Sequence, residues 1–160
     1  MNSVVEIKHV TKRYGKIEVL KDVSLNCEAG KIYGLIGRNG SGKTVLLKSI
    51  CGFVRPTSGE VCVQGQQIGK DVDFPSGIGF IIESPGFLAQ ESGLRNLMHL
   101  ASIRRKASAE DIRQSMYTVG LDPNLRKPVG KYSMGMRQRL GIAQAIMENP
   151  DILILDEPMN

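Results

Sequence analysis

Cysteine is scarce in this chain of 160 residues. Cys27, Cys51 and Cys62 form an odd set without metal-ligand spacing. That excludes a disulfide framework and reads as small buried thiols in a reduced, cytoplasmic compartment. Tryptophan is absent, and aromatic residues make up 5% of the chain. The two histidines, His9 and His99, have no partner pattern and are expected at the surface. No uninterrupted apolar run approaches the ~18 residues of a membrane span. Residues 1–6 lack the charged-then-apolar pattern of a signal peptide. Any link to a membrane is therefore expected through another chain. The net charge of +5, from 21 Lys+Arg against 16 Asp+Glu, suits phosphate-bearing ligands. These basic residues are scattered apart from Arg104-Arg105-Lys106, which reads as a solvated helix end, so no nucleic-acid partner is expected. Repeats and low-complexity segments are also lacking, and 41% hydrophobic content fits one ordinary globular domain or most of one.

What the chain does have is the octapeptide Gly37-Arg38-Asn39-Gly40-Ser41-Gly42-Lys43-Thr44, which fits G-x-x-x-x-G-K-[ST] at every fixed position. Apolar residues 32–36 precede it and read as a strand; residues 44–50 follow and read as a helix. Backbone N–H groups of such a loop curl around a phosphate at the positive end of the helix dipole. Lys43 would reach the β- and γ-phosphates, and the Thr44 hydroxyl would ligate Mg²⁺. A second anchor is Asp156-Glu157, directly after the apolar run Ile152–Leu155. Four apolar residues in a row suggest a strand buried on both faces, as in a parallel sheet. The arrangement sets carboxylates at the strand's carboxyl end, where Asp156 could hold Mg²⁺ and Glu157 could act on the attacking water.

Around these anchors the chain divides by pattern. Residues 1–83 read as a β-rich, phosphate-loop core. Alternating Val5 and Ile7, and Val23, Leu25 and Cys27, mark strands; Gly15 and Glu28-Ala29-Gly30 mark turns. Gly52 should end the helix after the loop. Pro56-Thr57-Ser58-Gly59 reads as a turn, residues 60–63 as a strand, Gln64-Gly65-Gln66 as a tight reversal and residues 78–82 as another strand. Residues 84–149 read as helical. Leu94, Leu97, Met98 and Ala101 recur at i, i+3, i+4, i+7; Ser108 with Asp111 resembles a capping box for a helix through Val119. A third helix runs from Ser133 to about Met147, with Leu140, Ala143, Gln144 and Met147 on one face, and Asn149-Pro150 stops it. Residues 150–160 return to the core. Met147 is expected as core filler.

A third motif narrows the reading. Tyr132-Ser133-Met134-Gly135-Met136-Arg137-Gln138-Arg139-Leu140 precedes Asn149-Pro150 and the acidic strand. It resembles the signature motif of ATP-binding-cassette (ABC) ATPases, usually Leu-Ser-Gly-Gly-Gln followed by a basic helix. Thr11-Lys12-Arg13-Tyr14-Gly15 and Pro56-Thr57-Ser58-Gly59-Glu60 fall in the family's order, so the resemblance covers essentially the whole chain. It implies an α/β fold: a P-loop core with an N-terminal antiparallel β subdomain and an all-helical insertion. ATP and Mg²⁺ are the implied cofactors. Tyr14 looks like the aromatic that stacks on adenine, residues 37–44 like the Walker A loop, Asp156 like the Walker B aspartate and Glu157 like the catalytic glutamate. Ser133 and Gly135 match signature residues, which in this family contact the nucleotide held by an opposite subunit. A homo- or heterodimer of nucleotide-binding domains, driving a membrane-spanning transporter subunit from the inner face of the cell membrane, is thereby implied. Residues 83–100 correspond to the region that touches that partner, where Phe87 and Leu88 offer apolar contacts or serve as ordinary core.

The sequence also departs from the family. Met134 replaces the first signature glycine and Met136 the glutamine, and Glu83 stands where the family has its Q-loop glutamine. A Glu83 carboxylate can still ligate Mg²⁺ but adds negative charge near the γ-phosphate. These variants resemble cassettes that export peptide antibiotics or lantibiotics. The chain stops at Met159-Asn160, before the D-loop, further core strands and switch histidine of the family, so it reads as a single incomplete nucleotide-binding domain with reduced stability and an exposed sheet edge. The parent is expected to be a transport ATPase; turnover by the 160 residues alone stays open. A soluble ABC ATPase of translation or DNA repair, and a nucleotide-binding module without turnover, are the alternatives.

Overall fold

The computed structural model describes residues 3–83 and 85–157. The chain divides between Ser76 and Gly77 into two compact units.

The first unit is built on a four-stranded antiparallel sheet in the order β2-β1-β3-β4. Its long strands β1 (Ser3–Tyr14) and β2 (Ile17–Glu28) form a hairpin turning at Gly15, and β1 pairs on its other edge with β3 (Ser58–Val63). Alternation aims Val5 and Ile7 inward, an irregularity after Ile7 brings Val10 in as well, and the cross-strand pairs Val5–Val63 and Ile7–Val61 lie at 4% exposure or less. The expected reversal at Gln64-Gly65 turns β3 back into β4 (Gln66–Gln67), with both turn residues at positive φ. Helix α1 (Lys43–Ile50) packs on β2 and β3 through its buried face of Leu46, Ser49 and Ile50. Gly52 follows its end, as expected. The turn at residues 56–59 is shorter than expected, because β3 already begins at Ser58.

Residues 32–36 do not form the expected strand. They carry no strand assignment, and Ile32 and Ile36 are fully exposed. A strand is held by a ladder to a neighbour, and among the described residues none pairs with this segment. Apolar β-propensity without a partner does not suffice.

The second unit has a parallel pair, β5 (Ile78–Ile81) and β6 (Ile152–Leu155), with three helices between them in sequence: α2 (Gly93–Arg104), α3 (Ala109–Thr118) and α4 (Met134–Ile146). Their core gathers Leu97, Ala101, Ile112, Met116, Leu121, Val129, Tyr132, Leu140, Ala143 and Met147, each 6% exposed or less. Burying each large aliphatic side chain contributes about 1.5–3 kcal/mol. Met147 is core, as expected; Met98 is not. It is 45% exposed, and its expected place on the buried face of α2 is taken by Asn96. The Asn96 amide makes that possible by closing four hydrogen bonds: from Leu88 N (2.7 Å), and to the carbonyls of Leu88 and Ser92 (3.1 Å each) and Glu91 (3.5 Å). Strand β5 lies so close to α4 that a Cβ at Gly79 would sit 1.9 Å from the Ala145 carbonyl oxygen, so only glycine fits there.

Strand β6 is parallel, as expected, but not buried on both faces. Ile154 is buried while Leu153, which points to the opposite face, is 44% exposed.

Candidate functional site

In the first unit the octapeptide wraps back on itself at the start of α1. Ser41 N donates to the Arg38 carbonyl at 3.1 Å, and Leu46 N to the Gly42 carbonyl at 2.9 Å. Gly42 is the N-cap of α1, at φ 91°, and no side chain caps the helix. A Cβ there would lie 2.8 Å from both the Val19 carbonyl and Leu20 Cδ2, so any other residue would push the loop off β2. The Lys43 ammonium folds over the loop, donating to the Gly37 carbonyl at 2.7 Å and the Arg38 carbonyl at 3.2 Å. A cation held on the rim of a loop of backbone amides suits a polyphosphate, to which those same donors can turn. Thr44, the second residue of α1, stands at the loop's end.

Tyr14 ends β1 and is 50% exposed. The Lys12 ammonium lies 4.9 Å from its ring centroid. Lys12 has no role of its own in the motif reading of residues 11–15, although a lysine two residues before an aromatic on a strand can share its face. Asn96 has no motif role either; an asparagine in the first turn of a helix gives no sign in the apolar period that it will be buried and bonded.

In the second unit Glu83, Asp156 and Glu157 come to one end of the β5–β6 pair. The parallel register runs from Ile78–Ile152 to Ile81–Leu155, and Asp156 N continues it by donating to the Ile81 carbonyl at 2.8 Å. Glu83 and Glu157 therefore leave neighbouring strands at the same carboxyl end, and both adopt positive φ, 67° and 46°. Asp156 is half-buried and Glu157 exposed. Carboxylate oxygens are hard donors of the kind that Mg²⁺ takes.

Ser133 caps α4 by accepting from Met136 N at 3.2 Å. Its hydroxyl hydrogen can still be donated elsewhere. Met134 is 72% exposed, and a Cβ at Gly135 would meet open space. Phe87 packs partly against the helical core, while Leu88 is 55% exposed on a loop that Asn96 clamps.

Burial pushes the Cys51 thiol up to about 12 and raises Cys27 and Cys62 as well. Cys51 is buried as expected, whereas Cys27 and Cys62 are half-buried. His9, exposed as expected, does have a partner: its Nδ1 lies 2.7 Å from Asp22 Oδ1. Among the described residues no helix is long and apolar enough to cross a membrane.

Known proteins match this arrangement. The sequence pattern of the ABC transporter family fits residues 20–160. The uncharacterized ABC transporter ATP-binding protein YybJ of Bacillus subtilis is 46% identical over 98% of this chain and 72% of its own length. The bacitracin transport ATP-binding protein BcrA of Enterococcus faecalis is 43% identical over 100% of this chain and 52% of its own. The lantibiotic transport ATP-binding protein SrtF of Streptococcus pyogenes is 38% identical over 98% and 67%. Thus the chain spans between about half and three-quarters of the length of these relatives. A dimeric structure of the bacterial ATP-binding cassette MJ0796, in a post-hydrolysis state bound to ADP and Pi, superposes with a TM-score of 0.83 at 25% identity, over 97% of this chain and 74% of that one. The expected mixed α/β cassette fold, with its antiparallel sheet and helical segment, is borne out, and this chain belongs to the ABC transporter family of ATP-binding proteins.

Proposed function

We propose that the chain forms the ATP-binding and hydrolysing part of a transporter subunit, a single incomplete nucleotide-binding domain made of a core at about residues 1–83, a helical part at 84–149 and a return to the core at 150–160. The observation that carries the proposal is the loop of residues 37–44, closed on α1 with the Lys43 ammonium turned over its carbonyls. Its backbone amides cradle the phosphates of ATP, and Lys43 moves from the Gly37 and Arg38 carbonyls to the β- and γ-phosphates. Tyr14 stacks on adenine. Glu157, at the end of β6, orients the attacking water and takes its proton. Thr44, Asp156 and Glu83 would hold Mg²⁺, which when bound neutralises charge on the phosphates. Ser133, with its hydroxyl hydrogen free for donation, and Gly135, with no side chain to block approach, face a nucleotide held by a second nucleotide-binding domain, in a homo- or heterodimer.

Closure of that dimer on ATP, and reopening after hydrolysis, drives a membrane-spanning partner from the cytoplasmic face of the cell membrane. Leu88, exposed on its clamped loop, is the apolar contact for that partner. A peptide antibiotic is the proposed cargo class, in keeping with the bacitracin and lantibiotic transport named for BcrA and SrtF.

The test is purification of the full-length protein from gently solubilised membranes, with mass spectrometry of what accompanies it. A stoichiometric polytopic membrane protein supports transport. Recovery from the soluble fraction with ribosomes, with DNA or alone overturns it in favour of a non-transport ABC ATPase.

A further inference from the structure

Lys12 is tied into the first unit more firmly than an ordinary strand lysine. It is half-buried, and its ammonium donates to the Arg55 carbonyl at 2.7 Å while lying 4.9 Å from the centroid of Tyr14. Arg55 belongs to the segment that leaves α1. That segment is laced to β1 on both sides of Lys12: Thr57 N donates to the Thr11 carbonyl at 2.8 Å, and Arg13 N to Thr57 Oγ1 at 3.0 Å. Arg55 is itself held by Asp73 at 2.7 Å. One ammonium thus bridges the aromatic at the end of β1 and the chain leaving the helix that opens at Lys43.

Cation and ring have complementary charge, since the π face is negative. A cation fixed on one face fills that face and restrains the ring, leaving the other face of a half-exposed tyrosine for a flat partner. Restraint before binding lowers the ordering cost when a purine stacks. We infer that Lys12 is a positioning residue for base recognition: it caps one face of Tyr14, presents the opposite face to the adenine ring, and ties that platform to the phosphate-binding helix through the Arg55 carbonyl. The inference rests on the stacking role proposed for Tyr14.

The experiment measures displacement of a fluorescent ATP analogue from the chain by ATP and, separately, by inorganic triphosphate, which has the phosphates without the base. Lys12→Met keeps the alkyl stem and loses the charge. It is expected to weaken ATP about two- to fivefold, the scale of an exposed cation–π contact, with triphosphate unchanged. Lys12→Arg restores ATP binding, and Lys12→Met adds nothing in a Tyr14→Leu background. Equal losses for ATP and triphosphate would make Lys12 a phosphate contact or a structural prop and overturn the inference. If Tyr14→Leu weakens ATP but Lys12→Met does not, Lys12 alone is removed. If Tyr14→Leu leaves ATP affinity unchanged, the stacking reading fails, and the inference with it.

Discussion

The helix that opens the first unit's site and the helices of the second unit begin in opposite ways. In the second unit α2, α3 and α4 each start behind a serine, Ser92, Ser108 and Ser133, whose hydroxyl accepts a backbone N–H of the first turn. Helix α3 adds Glu110 and Asp111 against its positive end. Helix α1 starts at a glycine, has no side-chain cap and carries no acidic residue in its first turn. Early amides need a partner, and a glycine-capped start with no side-chain cap is the kind of helix start that suits a phosphate. A sequence can thus mark a structural helix start and a phosphate-binding one by the same short window. On the proposed function the first unit holds phosphate, while the second brings carboxylates to a strand end.

If holding and conversion are divided in this way, two substitutions should separate them. The larger effect belongs to the second unit. Glu157→Gln in the full-length protein should slow ATP hydrolysis about 10²–10⁴-fold, the scale of a general base, and leave ATP affinity nearly intact. Single-turnover phosphate release beside equilibrium ATP binding tests it, and near-normal turnover would take Glu157 out of the mechanism. Lys43→Ala in the first unit should weaken ATP binding about 10- to 100-fold, because a lost charged contact costs ~1.5–3 kcal/mol. Titration by calorimetry measures this. If instead Glu157→Gln abolished binding while Lys43→Ala spared it, the division would be broken.

The same contrast explains how much the sequence could tell. Short-range chemistry was legible. The capping box at Ser108–Asp111, the reversal at Gln64-Gly65, the glycine after α1 and the opening of α4 at Ser133 depend on a few neighbouring residues, and each stands where its residue types put it. Long-range pairing was not. Residues 32–36 carry a strand's composition, yet a strand needs a neighbour that no local pattern names. The run Ile152–Leu155 suggests burial on both faces because four apolar residues look alike whether one face or both are covered. On α2 the apolar period finds Leu97 and Ala101 but takes Met98 over Asn96, because a count of apolar positions cannot register an amide buried by hydrogen bonds to Leu88, Glu91 and Ser92. Of the site, the loop and carboxylates could be read as motifs; the Lys12 ammonium over Tyr14, bound to a carbonyl 43 residues away in sequence, could not.

The smallest effect tests the capped side of the comparison. The Ser108 hydroxyl accepts Asp111 N at 3.1 Å and donates to Asp111 Oδ2 at 2.6 Å, while Ser108 N donates to the same oxygen at 2.8 Å. The Ser108 hydroxyl first, and its backbone N–H second, hold the Asp111 carboxyl below its ordinary 3.8. A carboxyl whose folded value is depressed stabilises the fold above that ordinary value, and loses the contribution as pH falls through its lowered folded value. Ser108→Ala should therefore speed amide exchange in α3 about fivefold at neutral pH, the scale of a lost serine cap. It should also flatten the acid-side fall in protection below pH 3.8, because the larger of the two causes is gone while the Ser108 N–H remains. Exchange in α1 should not change, since that helix has no side-chain cap to lose. A variant that exchanges like the parent protein at both pH values would show that the box contributes nothing measurable. A loss spread equally over α1 and α3 would show instead that the two helix starts are not held independently, and would undo the contrast between them.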